Sequence, residues 1–298
     1  MRRRTLLLGL LLLCPAIGPA YEVLFTGESP YHQVRVVEDD GYRFLSFDET
    51  RGTQSALKLS DPLFLEYVYT RLTFASLAFV PHPQDVLFVG LGGGTMPKFL
   101  HHHYPEVNVD VAEIDPVVID VAKKYFGLKV DERMKIHPYD GRVFLRKAKT
   151  QYDIIVLDAY NASSIPFHLT TKEFFEIVRK ALKPNGVVVS NIWSPRMNEY
   201  FEAEIKTFQA VFPELYIFPG LSSGNYIFIA TNRKGKVEEH RLVERARQID
   251  GEKKFHFELA DLIKTTYQYA TNRPVEAAVL TDERAPVDVM RWREVKGE

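Results

Sequence analysis

The sequence predicts an α/β fold: a doubly wound parallel sheet with a small β module in front of it. Three observations predict it. From residue 85 to residue 211, short apolar runs alternate with helix-like segments. The first run, Val86-Leu87-Phe88-Val89, passes straight into Gly90-Leu91-Gly92-Gly93-Gly94. The stretch before it, 21–60, is rich in β-formers and split by Asp39-Asp40-Gly41, a hairpin signal. Continuous apolar runs belong to strands covered on both faces. Their alternation with helices builds a parallel sheet with right-handed crossovers.

In chain order, 34–37 and 43–47 read as the strands of the β module. Asp61-Pro62 opens a helix with Pro62 at its first position, and Phe64, Leu65, Val68, Leu72 and Leu77 supply its apolar face. Pro81-His82-Pro83 is a linker. Strands follow at 86–89, 107–114, 134–137, 153–157 and 187–192. The intervening helices are 96–103, 116–125, 142–148 and 171–182, the last ended by Lys183-Pro184-Asn185-Gly186. A helix over 199–211 precedes strands at 215–218 and 226–231. A closing strand pair of this kind marks the Rossmann-like, methyltransferase-like version of the sheet. A helix over 239–249 lies in a charged tail. The expected division is a signal peptide or anchor at 1–20, the β module at 21–60, a nucleoside-binding catalytic domain at 61–233 with a helical entry over 61–80, and the tail at 234–298.

The first twenty residues stand apart. Arg2, Arg3 and Arg4 precede an apolar run over 6–13, and Gly18-Pro19-Ala20 offers small residues for cleavage. This is a secretory pattern, shorter than a membrane span. It predicts an exported or periplasmic protein, with a membrane tether through 1–20 if the segment is kept; a misassigned start would leave the protein cytoplasmic. Cleavage after Ala20 removes Cys14, the single cysteine, and takes the formal charge from −1 to −4 (35 basic against 39 acidic residues). Neither disulfides nor cysteine-based metal sites are then expected. Near-neutral charge gives no basic footprint for nucleic acid.

Ligands of such sheets sit beyond the carboxyl ends of the strands. The first end carries Gly90, Gly92 and Gly94, which let backbone N–H groups approach a ligand. The second carries Glu113 and Asp115, about twenty residues on, where a carboxylate accepts ribose hydroxyls; Asp115, just before Pro116, reads equally as a helix N-cap. The third is followed by Asp140-Gly141, where an acid meets an adenine amino group. The fourth ends in Asp158. Carboxylates at three successive ends imply an adenosyl ligand. No Lys-Ser/Thr follows the glycines, so a phosphate fits less well than a cationic sulfonium nucleoside. Asp158 reads as an acceptor of an amine proton or as an anchor for a substrate polar group. His101, His102 and His103 point in different directions on a helix and cannot share an ion, so no metal is expected. Trp193 and Tyr226 line an acceptor pocket or pack in the core. His168 closes over the site or merely leads into a helix. The charged turn at 281–286 has no assigned role.

These motifs, with Ser29-Pro30-Tyr31 and the run Tyr152-Asp153-Ile154-Ile155-Val156-Leu157-Asp158, resemble the spermidine synthase (polyamine aminopropyltransferase) family over about 29–230. The resemblance implies transfer of an aminopropyl group from decarboxylated S-adenosylmethionine to an amine. It implies that Glu113 binds ribose, that Asp140 and Gly141 contact adenine, and that Asp158 is the acid–base residue. Asn161, Tyr69 and Gln54 are read as acceptor-side candidates, Gln54 also as ordering the loop over the nucleoside, and a homo-oligomer is expected by analogy with the family. The chain departs from the family pattern at five places. Gly93 replaces an Asp of the glycine loop, and Asn161 replaces a second Asp after Asp158. Tyr69-Thr70 replaces a Tyr-His or Tyr-Gln pair, and Leu221 a late Tyr. The glutamine after Tyr31 becomes His32 or shifts to Gln33. The nucleoside half is kept, while the half that grips a dication loses carboxylates. Two alternatives stand beside aminopropyl transfer: methyl transfer from intact S-adenosylmethionine, and an exported protein that binds a nucleoside or amine without catalysis.

Overall fold

A computed structural model describes residues 21–48, 52–159, 165–220 and 224–284. The signal-like segment, Asn161 and Leu221 lie outside the described residues. The N-terminal module is a four-stranded antiparallel sheet of β1 (Glu22–Glu28), β2 (Gln33–Asp39), β3 (Tyr42–Phe47) and β4 (Ser55–Lys58) in that order. Asp40 and Gly41 turn the β2–β3 hairpin at φ 44° and 77°, the left-handed pair that an Asp-Gly turn supplies at low cost.

The helical entry differs from expectation. It is α1 (Val68–Thr73) and α2 (Ser76–Phe79), and no helix begins at Pro62. Asp61 explains this. Its side chain accepts from Leu63 N at 3.2 Å and its carbonyl from Phe64 N at 3.0 Å, closing a turn instead. Arg71 then folds back onto the carbonyls of Leu65 and Glu66 at 2.6 and 2.8 Å, satisfying an extended segment.

The main domain runs β5 (Asp85–Val89), α3 (Thr95–His103), β6 (Asn108–Ala112), α4 (Pro116–Tyr125), β7 (Met134–His137), α5 (Gly141–Lys147), β8 (Tyr152–Leu157), α6 (Lys172–Ala181), β9 (Leu182–Trp193), α7 (Phe201–Val211), β10 (Glu214–Pro219), β11 (Asn225–Thr231), α8 (Glu239–Lys253), α9 (Leu259–Thr266) and β12 (Gln268–Tyr269). A 3-10 turn, Phe167–Leu169, precedes α6. The sheet order is β12-β10-β11-β9-β8-β5-β6-β7. Strands β5 to β9 pair in parallel, and β10, β11 and β12 are antiparallel. From β5 the chain winds first through β6 and β7, then returns to β8 on the other side. The topological switch point therefore lies between β5 and β8.

Side-chain alternation divides the core. Val86, Phe88, Ile154 and Val156 face one layer, with α3, α4, α8 and α9; Leu87, Val89, Ile155 and Leu157 face the other, with α6 and α7. Phe174 and Phe175 of α6 are almost wholly buried, and burial of each contributes about 1.5–3 kcal/mol. The segment Lys183-Pro184-Asn185-Gly186 ends α6 as expected, but it lies within β9 as an irregularity: Tyr152 pairs with Leu182 and Ile154 already with Val187. Sequence periodicity missed β1, β4, α9 and β12, which are short or lie at sheet edges.

Candidate active site

The switch point opens into a cavity of about 450 Å³ between the two sheets. Its floor is the glycine turn. Gly90, Gly92 and Gly94 have φ of 96°, 52° and 70°, values that other residues adopt only with strain. At Gly90 space is the second constraint: a Cβ there would run into the carbonyl oxygen of Asp158. Glycine thus lets the turn after β5 pass under the end of β8. The Gly90 N–H donates to Ala112 O at 2.9 Å, and the Asp158 N–H to Val89 O at 2.9 Å, so three strand ends meet at one point.

Glu113, at the end of β6, lines the cavity and is 9% exposed. Its Oε2 accepts from Leu91 N at 2.9 Å and its Oε1 from Asp115 N at 2.8 Å. Each oxygen keeps a lone pair for a vicinal diol. Burial raises the pKa of this carboxyl, and the backbone N–H bonds oppose that rise. Asp115 does not line the cavity. Its Oδ1 caps α4 by accepting from Val117 N at 2.8 Å, and its Oδ2 accepts from Ser29 Oγ at 2.6 Å. The expectation of a cofactor contact from its side chain is therefore corrected: at 1% exposure it ties the N-terminal module to the main sheet. That bond gives Ser29 its place in the Ser29-Pro30-Tyr31 motif, and Tyr31 lines the cavity. On the other flank Gly93 N donates to Ser55 Oγ of β4 at 2.8 Å.

Asp140 and Gly141 line the next part of the wall. Asp140 caps α5 through Val143 N at 2.9 Å, and its Oδ2 lies 2.8 Å from His168 Nε2. Burial works to raise the Asp140 pKa, but the bonds from His168 and Val143 outweigh it and the net shift is downward. At Gly141 a Cβ would meet the side chain of Val89. His168, set by the 3-10 turn, thus forms part of the cavity wall.

Asp158, directly after β8, is half-buried and lines the cavity. Burial raises its pKa to about 6, against a hydrogen bond from Asn191 Nδ2 to Oδ1 at 2.8 Å. Asn225 Nδ2 in turn donates to Asn191 Oδ1 at 3.0 Å. Both asparagines line the cavity, and neither was singled out from the sequence. The available signal was Asn191 itself, a polar residue in the otherwise apolar run of β9. Tyr69, Gln54 and Trp193 also line the cavity. Burial first, then the charge of Asp158, keeps the Tyr69 phenol neutral by raising its pKa well above the ordinary value.

Other expectations divide. Tyr226 packs against Phe201, ring centroids 5.0 Å apart, and does not line the cavity. His32 faces the cavity, stacked on Phe47 at 4.2 Å, whereas Gln33 pairs with Glu28 away from it. Gly93 does not line the cavity, and a side chain there would meet Phe126 and Ser55. Among the described residues no group of three or more His, Cys, Asp and Glu is arranged to hold a metal ion.

The comparisons with known proteins agree with this geometry. Residues 67–241 match the Spermine/spermidine synthase domain. The chain is 34% identical over 230 residues to the polyamine aminopropyltransferase of Vibrio vulnificus, covering 74% of this chain and 76% of that protein. The fold superposes on a probable spermidine synthase from Corynebacterium glutamicum with a TM-score of 0.67 at 20% identity, over 88% of this chain and 99% of that one. It also superposes on human methyltransferase-like protein 13 in complex with SAH, with a TM-score of 0.58 at 26% identity, over 63% of this chain and 93% of that one. The chain belongs to the spermine/spermidine synthase family.

Proposed function

We propose that this chain transfers an aminopropyl group from decarboxylated S-adenosylmethionine to an amine, with Asp158 as proton acceptor. One observation carries the reading: a buried carboxylate of raised pKa stands in the same cavity as the two carboxylates placed for an adenosine, Glu113 and Asp140. The cosubstrate fits the donor set. Glu113 offers a lone pair on each oxygen to the ribose, Asp140 and Gly141 reach the adenine end, and three carboxylates suit a sulfonium.

The chemistry asked of the protein is modest. An amine of pKa about 10 is an ammonium near neutrality and cannot attack carbon. Asp158 orients the nitrogen toward the CH₂ next to sulfur and takes its proton. As the N–C bond forms, the C–S bond breaks and its electron pair stays on sulfur. Methylthioadenosine leaves as a neutral thioether, so no general acid is needed. Burial of Asp158 narrows the gap between its pKa and that of the amine, compared with an exposed carboxylate near about 4.

Acceptor selectivity follows from the walls. Among the described residues lining the cavity, Asp158 is the carboxylate at the acceptor end; Tyr69, Asn191, Asn225, Gln54 and Trp193 are neutral. A singly charged amine fits this end better than a diamine. The test is release of methylthioadenosine from decarboxylated S-adenosylmethionine with a panel of mono- and diamines. Failure with every amine, while the nucleoside binds, overturns the proposal.

Methyl transfer from intact S-adenosylmethionine is the second reading. It is favoured by the likeness to methyltransferase-like protein 13 and by Gly93, where Phe126 and Ser55 leave no room for the carboxylate that the family places there. Formation of S-adenosylhomocysteine instead of methylthioadenosine would select it. The pattern of residues 1–20 adds export to the proposal. N-terminal sequencing of protein from separated cell fractions tests it: a chain beginning at Tyr21 outside the cytoplasm supports export, and an intact cytosolic N-terminus contradicts it.

A further inference from the structure

The charged turn near the C-terminus lies beyond residues 67–241, yet it reaches the adenine end of the cavity from behind. Arg142, the second residue of α5, is 8% exposed and does not line the cavity. Its Nη1 and Nη2 donate to Asp282 Oδ1 and Oδ2 at 2.8 and 2.5 Å, a bidentate pair. The same Nη1 donates to His168 O at 3.1 Å. Arg142 therefore holds the residue whose ring contacts Asp140, while following Asp140 and Gly141 in the chain.

Asp282 is itself held. Its Oδ1 accepts from Thr171 Oγ1, the N-cap of α6, at 2.7 Å, and its N–H donates to Glu173 Oε2 at 3.0 Å. Two residues earlier, Leu280 O accepts from Lys172 N at 2.8 Å and Leu280 N donates to Thr207 Oγ1 at 2.9 Å. Leu280 is buried against Ala203 of α7. The segment is thus strapped across the start of α6 and ends on Arg142. The Arg142 bonds hold the Asp282 carboxyl down at about 2, so it is ionised throughout the neutral range.

We propose that Asp282 is a positioning residue for nucleoside binding: through Arg142 it fixes the α5 start and the 3-10 turn, and with them Asp140, Gly141 and His168, against the adenine. Arg142 is the shared joint. Its guanidinium is planar, so one face of bonds to Asp282 sets the angle at which it meets His168 O. With Asp282 removed, Arg142 loses its bidentate partner and keeps only the through-space attraction of Glu173 and Asp140, so the angle at which it meets His168 O is no longer fixed. The proposal rests on the adenosine reading of Asp140 and Gly141, and it is indifferent to whether aminopropyl or methyl is transferred.

The experiment is calorimetric binding of methylthioadenosine and S-adenosylmethionine to full-length wild type, Asp282→Asn, Arg142→Gln and the double variant, with melting temperatures recorded alongside. The expected result is that Asp282→Asn weakens both nucleosides about tenfold, the scale of one lost charge-assisted bond. Where turnover is measured, KM for the nucleoside rises while kcat at saturation stays within about twofold. The double variant binds no more weakly than Arg142→Gln, because both act through one joint. Asp282→Glu, which keeps the charge, recovers part of the affinity. Wild-type affinity in Asp282→Asn overturns the proposal, as does additivity in the double variant or a weakening matched by partial unfolding at the assay temperature. If wild type binds neither nucleoside, the adenosine reading falls and this proposal with it.

Discussion

The two ends of the cavity are built from different material. At the nucleoside end the carboxylates are fixed by backbone: Glu113 by Leu91 N and Asp115 N, Asp140 by Val143 N. Each sits within a residue or two of a strand end or helix start, so its position is set by the sheet. At the acceptor end Asp158 also follows a strand and is tied to Val89 O by its backbone N–H, but its carboxyl is held by the side chain of Asn191 on β9, which is held by that of Asn225 on β11. Side chains held by side chains can be exchanged without disturbing the sheet. One end is a fixed receptor for a common cosubstrate; the other is the adjustable half.

The largest effect that would break this contrast is at Asp158. Asp158→Asn keeps the shape and the bond from Asn191. It should lower turnover by about 10²–10⁴-fold, the range of a lost acid–base group, and leave nucleoside affinity within about twofold. The same change should stabilise the protein. The folded-state pKa of about 6 lies above the unfolded value near about 4, so the folded state holds the extra proton between them and stability falls as pH rises through that window. Above it the ionised, buried carboxylate costs at most about 3 kcal/mol, which the amide removes. A melting temperature of Asp158→Asn below that of wild type at pH 7 would contradict the burial described. Turnover of wild type should rise with pH through about 6 as Asp158 ionises.

Next is Glu113→Gln. The amide can accept one backbone N–H but turns its own N–H₂ toward the other. Nucleoside affinity should fall about 10–100-fold, the cost of leaving a buried donor unpaired and losing a diol acceptor. Unchanged affinity by calorimetry would remove the distinction between the two ends. The acceptor end offers a third comparison. A second ammonium would meet neutral walls, at a cost of about 1.5–3 kcal/mol, so a monoamine should exceed a diamine of equal length by about tenfold or more in kcat/KM. A diamine preference would reverse this reading. The smallest effect is His168→Ala. It removes one partner of Asp140 and leaves the Val143 cap, so a rise in nucleoside KM of about threefold with unchanged kcat is expected; a loss of kcat would move His168 to the acceptor half.

The sheet was largely legible because its signals are local. Pro116 opens α4 and Met134 opens β7 where the chain reading places them, since proline at a first turn and short apolar runs act within a few residues. The entry at 61–67 was not, because the Asp61 turn and the Arg71 bonds to Leu65 and Glu66 defeat a helical periodicity that is present in the sequence. The site divides in the same way. Glu113, Asp140 and Asp158 follow strands and can be found by counting. Asp115 carries the same strand-end signal but serves Ser29, a partner 86 positions away. Asn191, Asn225 and Asp282 act through contacts between residues distant in sequence, which periodicity does not encode.

The most direct measurement is product identity. Wild type and Asp158→Asn are each incubated with decarboxylated S-adenosylmethionine and the amine panel, and separately with S-adenosylmethionine, and the nucleoside products are separated. Methylthioadenosine from wild type with at least one amine, and its loss in Asp158→Asn with binding retained, is the result predicted. No methylthioadenosine from a wild-type protein that binds the nucleoside, or S-adenosylhomocysteine in its place, would contradict aminopropyl transfer.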